Sequence, residues 1–440
     1  MDSIIDERVG FNPKPPSVMF IDLNSCFASC EQQADYLLRN KPIAVGAYAT
    51  PGGCILAASY EAKKYGVETG MRVSDGRALC PQLIILGSDP PKYRHFNRKF
   101  LQLFREYTSD VYVKSIDEMV LHLEQAPSLH KRVHNGKSVP EAMKDIAREI
   151  KQRIVNEVGD SLRVSIGIAP NRYLSKIASG MEKPDGLTVI DKSNYLVQLG
   201  KFTEIEQLNG IKHGYGNRLR YHRIKSAIDF YNANIHTLKQ AFHSIIGYHW
   251  WLRMHGYEAD DREFDKKSIG HSYALYKAYY PDDVRLHQIL CQLSEKMARR
   301  MRKNGYQSQG IHLGLSFSSW EYWHKSKKLS ETRYSGADLY QEALKILSEA
   351  PKLPVRTIDV SCHYFTDIDL RQQFLFETDW KKQAVTHALD TIWDRWGEFT
   401  LIPARMLNMP NKILDRISFG SIKEVEEFVY RDSITSEAIN

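Results

Sequence analysis

Short apolar runs and amphipathic stretches alternate over the first 190 residues. Val18–Ile21 in "SVMFIDLNSC" predicts a buried strand, and Ser25 or Asn24 could cap a following helix whose apolar face carries Phe27, Cys30 and Leu37. "KPIAVGAY" predicts a second strand, and "GGCILAASYEAKKYGVETGM" a strand, a helix and a Gly-bounded turn. "KYRHFNRKFLQLFREYT" predicts a helix with basic residues set between aromatics. "VYVKSIDEMVLHL" reads as a hairpin, and Met143, Ile146, Ile150 and Ile154 recur at helical spacing in "VPEAMKDIAREIKQRIVNEVG". "LRVSIGIA" alternates as a strand, after which Asn171 caps the helix "RYLSKIASGM". Strands and helices interleave, an α/β pattern over 17–190.

From residue 200 the pattern changes to short helices, and a charged linker, "GYEADDREFDKK", follows. Beyond it come a strand ("SIGHSYALYKAYY"), a long helix ("DVRLHQILCQLSEKMARRMRKNG"), a strand ("GIHLGLSFSSW"), a helix ("GADLYQEALKILSEA") and a strand ("PVRTIDVSCHYF"). That β-α-β-α-β order predicts a small α+β domain with its helices on one sheet face. One more helix, "KKQAVTHALDTIWDRWG", is expected in the tail. Residues 1–16, with three prolines and no periodicity, read as a flexible arm.

Composition adds bounds. The 440 residues suggest two to four domains. No apolar run reaches the ~18 residues of a membrane span, and the polar start is no signal peptide. Six cysteines without a CxxC pair point away from zinc and toward reduced thiols in a cytoplasm. The net charge of +7 is matched by residues 201–350 alone, which hold 23 Lys and Arg against 16 Asp and Glu. A polyanion-binding half joined to a near-neutral half is one reading; a solvated basic surface is the other.

Asp117 and Glu118 are adjacent carboxylates beside a strand, where they repel and pair poorly. Asp22 ends an earlier strand. If the two strands are neighbours, three carboxylates converge and raise one another's pKa values unless a divalent cation removes the conflict. Otherwise each is a solvated turn or cap residue.

"FIDLNSCFASCE", "ASYEAKKYGV", "SIDEM", "SIGIAPNRYLSKIASGMEKPDG" and, further on, "KSIGHSYAL" together resemble the Y-family (lesion-bypass) DNA polymerases of the bacterial DinB/UmuC kind, from about residue 17 to about 420. The resemblance implies a multidomain right-hand polymerase of mixed α/β and α+β class. Its parts would be a ferredoxin-like palm (17–34 and 90–190), small fingers (35–89), a helical helix-hairpin-helix thumb (191–256), a linker (257–267), an α+β little finger (268–368) and a C-terminal tail (369–440). It implies low-fidelity, template-directed translesion synthesis on primer–template DNA with dNTPs. Two Mg²⁺ ions, with Mn²⁺ as a substitute, would be held by Asp22, the Leu23 carbonyl, Asp117 and Glu118.

By the same resemblance Phe27 is a steric gate against a 2′-hydroxyl, and Tyr60, Lys63 and Lys183 contact the triphosphate. Lys63 stands where many relatives have Arg, and Ala57 where some have a hydroxyl, so the triphosphate contacts here differ in detail. "LNGIKHGYG" looks like the hairpin of a helix-hairpin-helix, with Gly210 in its turn and Lys212 in place of a second glycine. Arg299, Arg300, Arg302 and Lys303 close the long helix of the little finger, either tracking DNA phosphates or complementing the helix dipole. "QQFLFE" matches the sliding-clamp-binding pattern at Gln372, Leu375 and Phe376. The need for accessory subunits stays open. Two other readings compete: a catalytically silent DNA-binding or clamp-recruiting scaffold, and another palm-domain nucleotidyl transferase such as a nucleotide cyclase.

Overall fold

The computed structural model describes residues 10–260, 267–367 and 377–409, with the side chains of 377–380 excepted. The chain divides near residue 262 into two compact units.

The first unit contains strands β1 (Val18–Leu23), β2 (Ile43–Gly46), β3 (Ile55–Ala58), β4 (Ile84–Gly87), β5 (Val111–Val113), β6 (Glu118–His122), β7 (Val164–Ala169) and β8 (Leu187–Val189). Five of them form one sheet in the order β5-β6-β1-β7-β8; β1 lies at its centre, antiparallel to both neighbours. Central strands are buried on both faces, which is why β1 begins as a continuous apolar run, and β7, which the sequence shows as alternating, is buried at every position. One face packs on the helices Pro90–Arg105 and Val139–Arg153, through Phe100, Phe104, Met143, Ile146 and Ile150. The helix Arg172–Met181 packs against β7 and β1, capped by Asn171 Oδ1, which accepts from the Leu174 N–H at 2.8 Å. Gly167 permits this approach: a Cβ there would stand 2.0 Å from the Ser175 carbonyl oxygen. A small sheet, β3-β2-β4, carries its own buried cluster. Five short helices between Tyr195 and Met254 share a third core around Phe230, Phe242 and Trp250.

The second unit has β9 (Ser268–Tyr279), β10 (Tyr306–Phe317), β11 (Tyr322–Arg333) and β12 (Val355–Asp367), antiparallel in the order β11-β10-β12-β9. The helices Val284–Lys303 and Gly336–Leu347 bury Ile311, Leu313, Leu315, Ile358 and Val360. The sequence reading lacks β11. That strand lies at the sheet edge, mostly exposed and lysine-rich, so the alternation that marks a half-buried strand is missing.

Several expectations need correction. Phe11 is buried and stacks on Tyr195 at 4.2 Å, and Asn12 Nδ2 donates to the Gly256 carbonyl at 2.8 Å, so this part of the expected arm is fixed. Residues 257–260 do not behave as a free linker. Asn171 Nδ2 donates to the Tyr257 carbonyl at 2.8 Å, the Arg172 N–H to Glu258 at 3.0 Å, and Arg253 Nε to Asp260 at 3.0 Å. The tail helix, Glu377–Trp396, belongs to the second unit, because Trp393, Phe399 and Met406 join its core. The first helix ends at Ala34, leaving Leu37 exposed, and Ser25 precedes it in a left-handed conformation without a side-chain cap.

Candidate active site

β1 ends in Asp22 and Leu23, and β6 begins at Glu118. Their antiparallel register sets Asp22 opposite Glu118, and the Leu23 N–H donates to the Asp117 carbonyl at 2.9 Å. The neighbourhood on which the carboxylate argument depends is therefore present, with all three acids at one end of the sheet. The turn before Glu118 is held from two sides: Asn97 Nδ2 donates to the Ile116 carbonyl at 2.8 Å, and Ser115 Oγ donates to Asp117 Oδ1. A cleft of about 310 Å³ opens there, lined by Asp22, Leu23, Phe27, Lys63, Asp117, Glu118 and Lys183 among others.

Burial pushes Asp22 up to about 6; Lys183 opposes the shift, while the charges of Asp117 and Glu118 reinforce it. Lys183 Nζ lies 2.5 Å from Asp22 Oδ1, and Lys176 Nζ donates to both oxygens of Glu118 at 2.9 and 3.0 Å. Among the described residues no three His, Cys, Asp or Glu side chains gather tightly enough to hold a metal ion. The physical reason lies in those ammonium groups: like carboxylates separate and turn toward lysines when lysines are the available cations. The donor set nevertheless fits a hard divalent ion, being three carboxylates and a backbone carbonyl at the mouth of one cleft.

Phe27 is 5% exposed and stacks on Tyr93 at 4.3 Å, yet it also lines the cleft, so it serves the core and the site together. Tyr60 and Lys63 share the one-turn helix Tyr60–Lys63, whose cap is Ser59. Lys63 Nζ lies 2.8 Å from Ser25 Oγ and 4.7 Å from the Tyr60 ring centre. Burial lowers the Lys63 pKa, Lys183 lowers it further, and Asp22 opposes. Burial raises that of Tyr60. Ala57, the other departure, also lines the cleft.

Sequence reasoning missed Lys176 and the pair Asn24–Ser165. Asn24 Nδ2 donates to Ser165 Oγ at 2.9 Å, and Asn24 Oδ1 accepts from the Asp185 N–H at 2.8 Å, tying the loop that carries Lys183 to β1 and β7. The available signal was the position of Asn24 directly after Asp22-Leu23, which reads equally as a helix cap.

In the helical region Gly210 has φ +87° in the turn closed by the Ile211 N–H on the Leu208 carbonyl, with Trp250 packed beneath it. Lys212 is exposed at the N-cap of the helix His213–Tyr221. The four basic residues of the long helix are placed differently from the expectation. Arg299 is 3% exposed and bonds Asp394 at 2.7 Å and Glu398 at 2.5 Å; Arg302 holds both oxygens of Asp390 at 2.7 Å. Lys303 lies 3.5 Å from Asp394, and Arg300 reaches the Gly270 carbonyl at 3.3 Å. Arg299, Arg302 and Lys303 thus pair within their own unit with Asp390 and Asp394 of the tail helix and Glu398 just past it, an arrangement that favours a structural role for these three over phosphate tracking. Other cations lie on or beside the exposed surface of β9–β12, where Lys328 sits 5.7 Å from the Tyr364 ring and Arg356 4.9 Å from the ring of Trp320, itself 81% exposed. Gln372, Leu375 and Phe376 lie outside the described residues.

The impB/mucB/samB family matches residues 21–180, and its C-terminal domain matches residues 266–375. DNA polymerase IV of Pelotomaculum thermopropionicum is 30% identical over 407 residues, spanning 91% of this chain and 97% of that protein. The chain belongs to the Y-family DNA polymerases. DNA polymerase IV of Moorella thermoacetica is 32% identical, spanning 87% of this chain and 94% of its own. A solved chimera of the Y-family polymerase Dbh has the same fold, with a TM-score of 0.66 and 24% identity over 80% of this chain and 99% of the other. This polymerase is a DNA-directed DNA polymerase that carries out translesion synthesis, and its family implies dependence on a divalent metal. No described helix is long and apolar enough to cross a membrane.

Proposed function

We propose that this polymerase extends a primer by two-metal nucleotidyl transfer at Asp22, Asp117, Glu118 and the Leu23 carbonyl, with Mg²⁺ as the ion and Mn²⁺ as a substitute. The register of Asp22 opposite Glu118, with Asp117 adjacent, is the observation that carries this reading. Divalent ions bound there supply charge neutralisation for the triphosphate and a lowered pKa for the primer hydroxyl.

The chain's own groups divide the remaining work. Lys183 and Lys63, which both line the cleft, bind triphosphate oxygens; Lys63 does so as a point charge, since it lacks the fork of an arginine. Tyr60 packs beside Lys63 and orients it. The ring of Phe27, fixed by its stack on Tyr93, excludes a 2′-hydroxyl. The turn at Gly210 and Lys212 grips a DNA phosphate through backbone N–H groups and an ammonium. On the second unit, Lys328 and Arg356 take the phosphate contacts that the long helix does not supply.

The segment with Gln372, Leu375 and Phe376 docks on a sliding clamp by filling an apolar pocket. Six free cysteines suit a bacterial cytoplasm. Primer extension with purified chain, Mg²⁺ and dNTPs tests the reading: Glu118→Gln is expected to abolish extension while primer–template binding survives, and retained extension would contradict the metal assignment.

A further inference from the structure

Two lysines occupy the carboxylates assigned above as metal ligands, and only one of them has a substrate to go to. Lys183 on Asp22 is the triphosphate lysine, so an arriving nucleotide draws its ammonium away. Lys176 has no such assignment. Its helix lies close against β7 because Gly167 has no side chain, and its Nζ sits 5.3 Å from the Phe20 ring centre while bonding both oxygens of Glu118. A divalent ion and an ammonium compete for those same oxygens. The Lys176 side chain is 37% exposed, so an anion arriving from solvent can reach its ammonium and compete with Glu118 for it. The remaining polyanion of the reaction is the DNA backbone.

We infer that Lys176 is a positioning residue that makes metal loading conditional on DNA. It holds Glu118 closed in the free protein, and a phosphodiester of the bound primer–template draws its ammonium off and releases the carboxylate. This rests on the metal reading of Glu118. The coupling is reciprocal, so metal also strengthens the hold on DNA. With Lys183 answering to the nucleotide, each of the paired carboxylates is released by a different substrate, and an ion is fully held only when both are present.

The test measures Mn²⁺ affinity of the full chain by the electron paramagnetic resonance of free Mn²⁺, without turnover. Lys176→Met keeps the apolar stem against Phe20 and removes the charge. Without DNA or nucleotide, Lys176→Met is expected to bind Mn²⁺ about ten-fold more tightly than wild type, and Lys176→Arg to match wild type. Adding a dideoxy-terminated primer–template, with the DNA's own Mn²⁺ uptake subtracted using Glu118→Gln protein, brings wild type level with Lys176→Met. A dNTP without DNA leaves the difference in place. Equal affinity of wild type and Lys176→Met in the free protein, with Glu118→Gln weaker than both, removes the latch and leaves the metal site standing. Undiminished Mn²⁺ binding in Lys176→Met/Glu118→Gln overturns the metal reading itself, and the latch with it.

Discussion

Asp22 and Glu118 occupy paired positions across the β1–β6 ladder, yet each carboxylate turns to its own lysine, Asp22 to Lys183 and Glu118 to Lys176. The backbone thus fixes the site while the side chains record which cations are at hand. Asp22→Asn and Glu118→Gln should each lower single-nucleotide incorporation by at least ~10²–10³-fold. Gel-shift affinity for primer–template should stay within about two-fold of wild type in Asp22→Asn, because Asp22 is not a DNA-binding cation, and should not fall in Glu118→Gln, which frees Lys176 for a phosphodiester.

Phe27 stands between two duties. Phe27→Ala should raise the ratio of ribonucleotide to deoxynucleotide incorporation, measured as kcat/KM for each. It should also destabilise the protein by about 3 kcal/mol, since the ring is buried on Tyr93. Phe27→Leu keeps more packing and should shift sugar selectivity with a smaller loss in thermal stability.

Arg302 and the pair Lys328 and Arg356 separate a structural basic residue from a DNA-facing one. Arg302→Met breaks a largely buried pair with Asp390 and should cost about 3 kcal/mol of stability, leaving the salt dependence of DNA binding unchanged. Lys328→Glu with Arg356→Glu should weaken DNA binding and reduce the salt slope by about two, with little change in unfolding temperature. Fluorescence anisotropy across a salt series checks both.

Glu295 sets a pH dependence in the second unit. Burial pushes its carboxyl from 4.5 to about 7, Arg302 opposing and Asp390 reinforcing. The folded state therefore holds a proton that the unfolded chain releases, and the associated stability is present in full below pH 4.5 and lost as pH rises through 7. The loss amounts to about 3 kcal/mol. Glu295→Gln should flatten the dependence between pH 5 and 8 in denaturant titrations, and should be more stable than wild type at pH 8.

Double substitution of Leu375 and Phe376 with Ala should abolish capture of a bacterial sliding clamp in surface plasmon resonance and leave distributive primer extension intact. Unaltered capture would show that another segment docks.

The long elements were legible because their periods were clean: Met143, Ile146 and Ile150 marked a helix face that the structure buries, the apolar run Val18–Ile21 marked β1 as a buried strand, and the alternation of "LRVSIGIA" marked β7. β11 was not, because an edge strand with lysines at 325, 327 and 328 has no buried face to impose alternation. The acids at the site were found by motif, whereas Lys176 was hidden inside a helix whose approach to β7 depends on the missing side chain of Gly167. Charge runs misled most. Arg299, Arg302 and Lys303 recur at helical spacing, but so do Asp390, Asp394 and Glu398 a hundred residues later, and only the packing shows that one stripe satisfies the other.

The most direct measurement is single-nucleotide primer extension opposite a damaged template base, by wild type and Glu118→Gln side by side, in Mg²⁺. Nucleotide addition by wild type, with none detectable from a folded, DNA-binding Glu118→Gln protein, is the predicted result. Extension by both, or by neither, would contradict the placement of catalysis at the carboxylates where β1 meets β6.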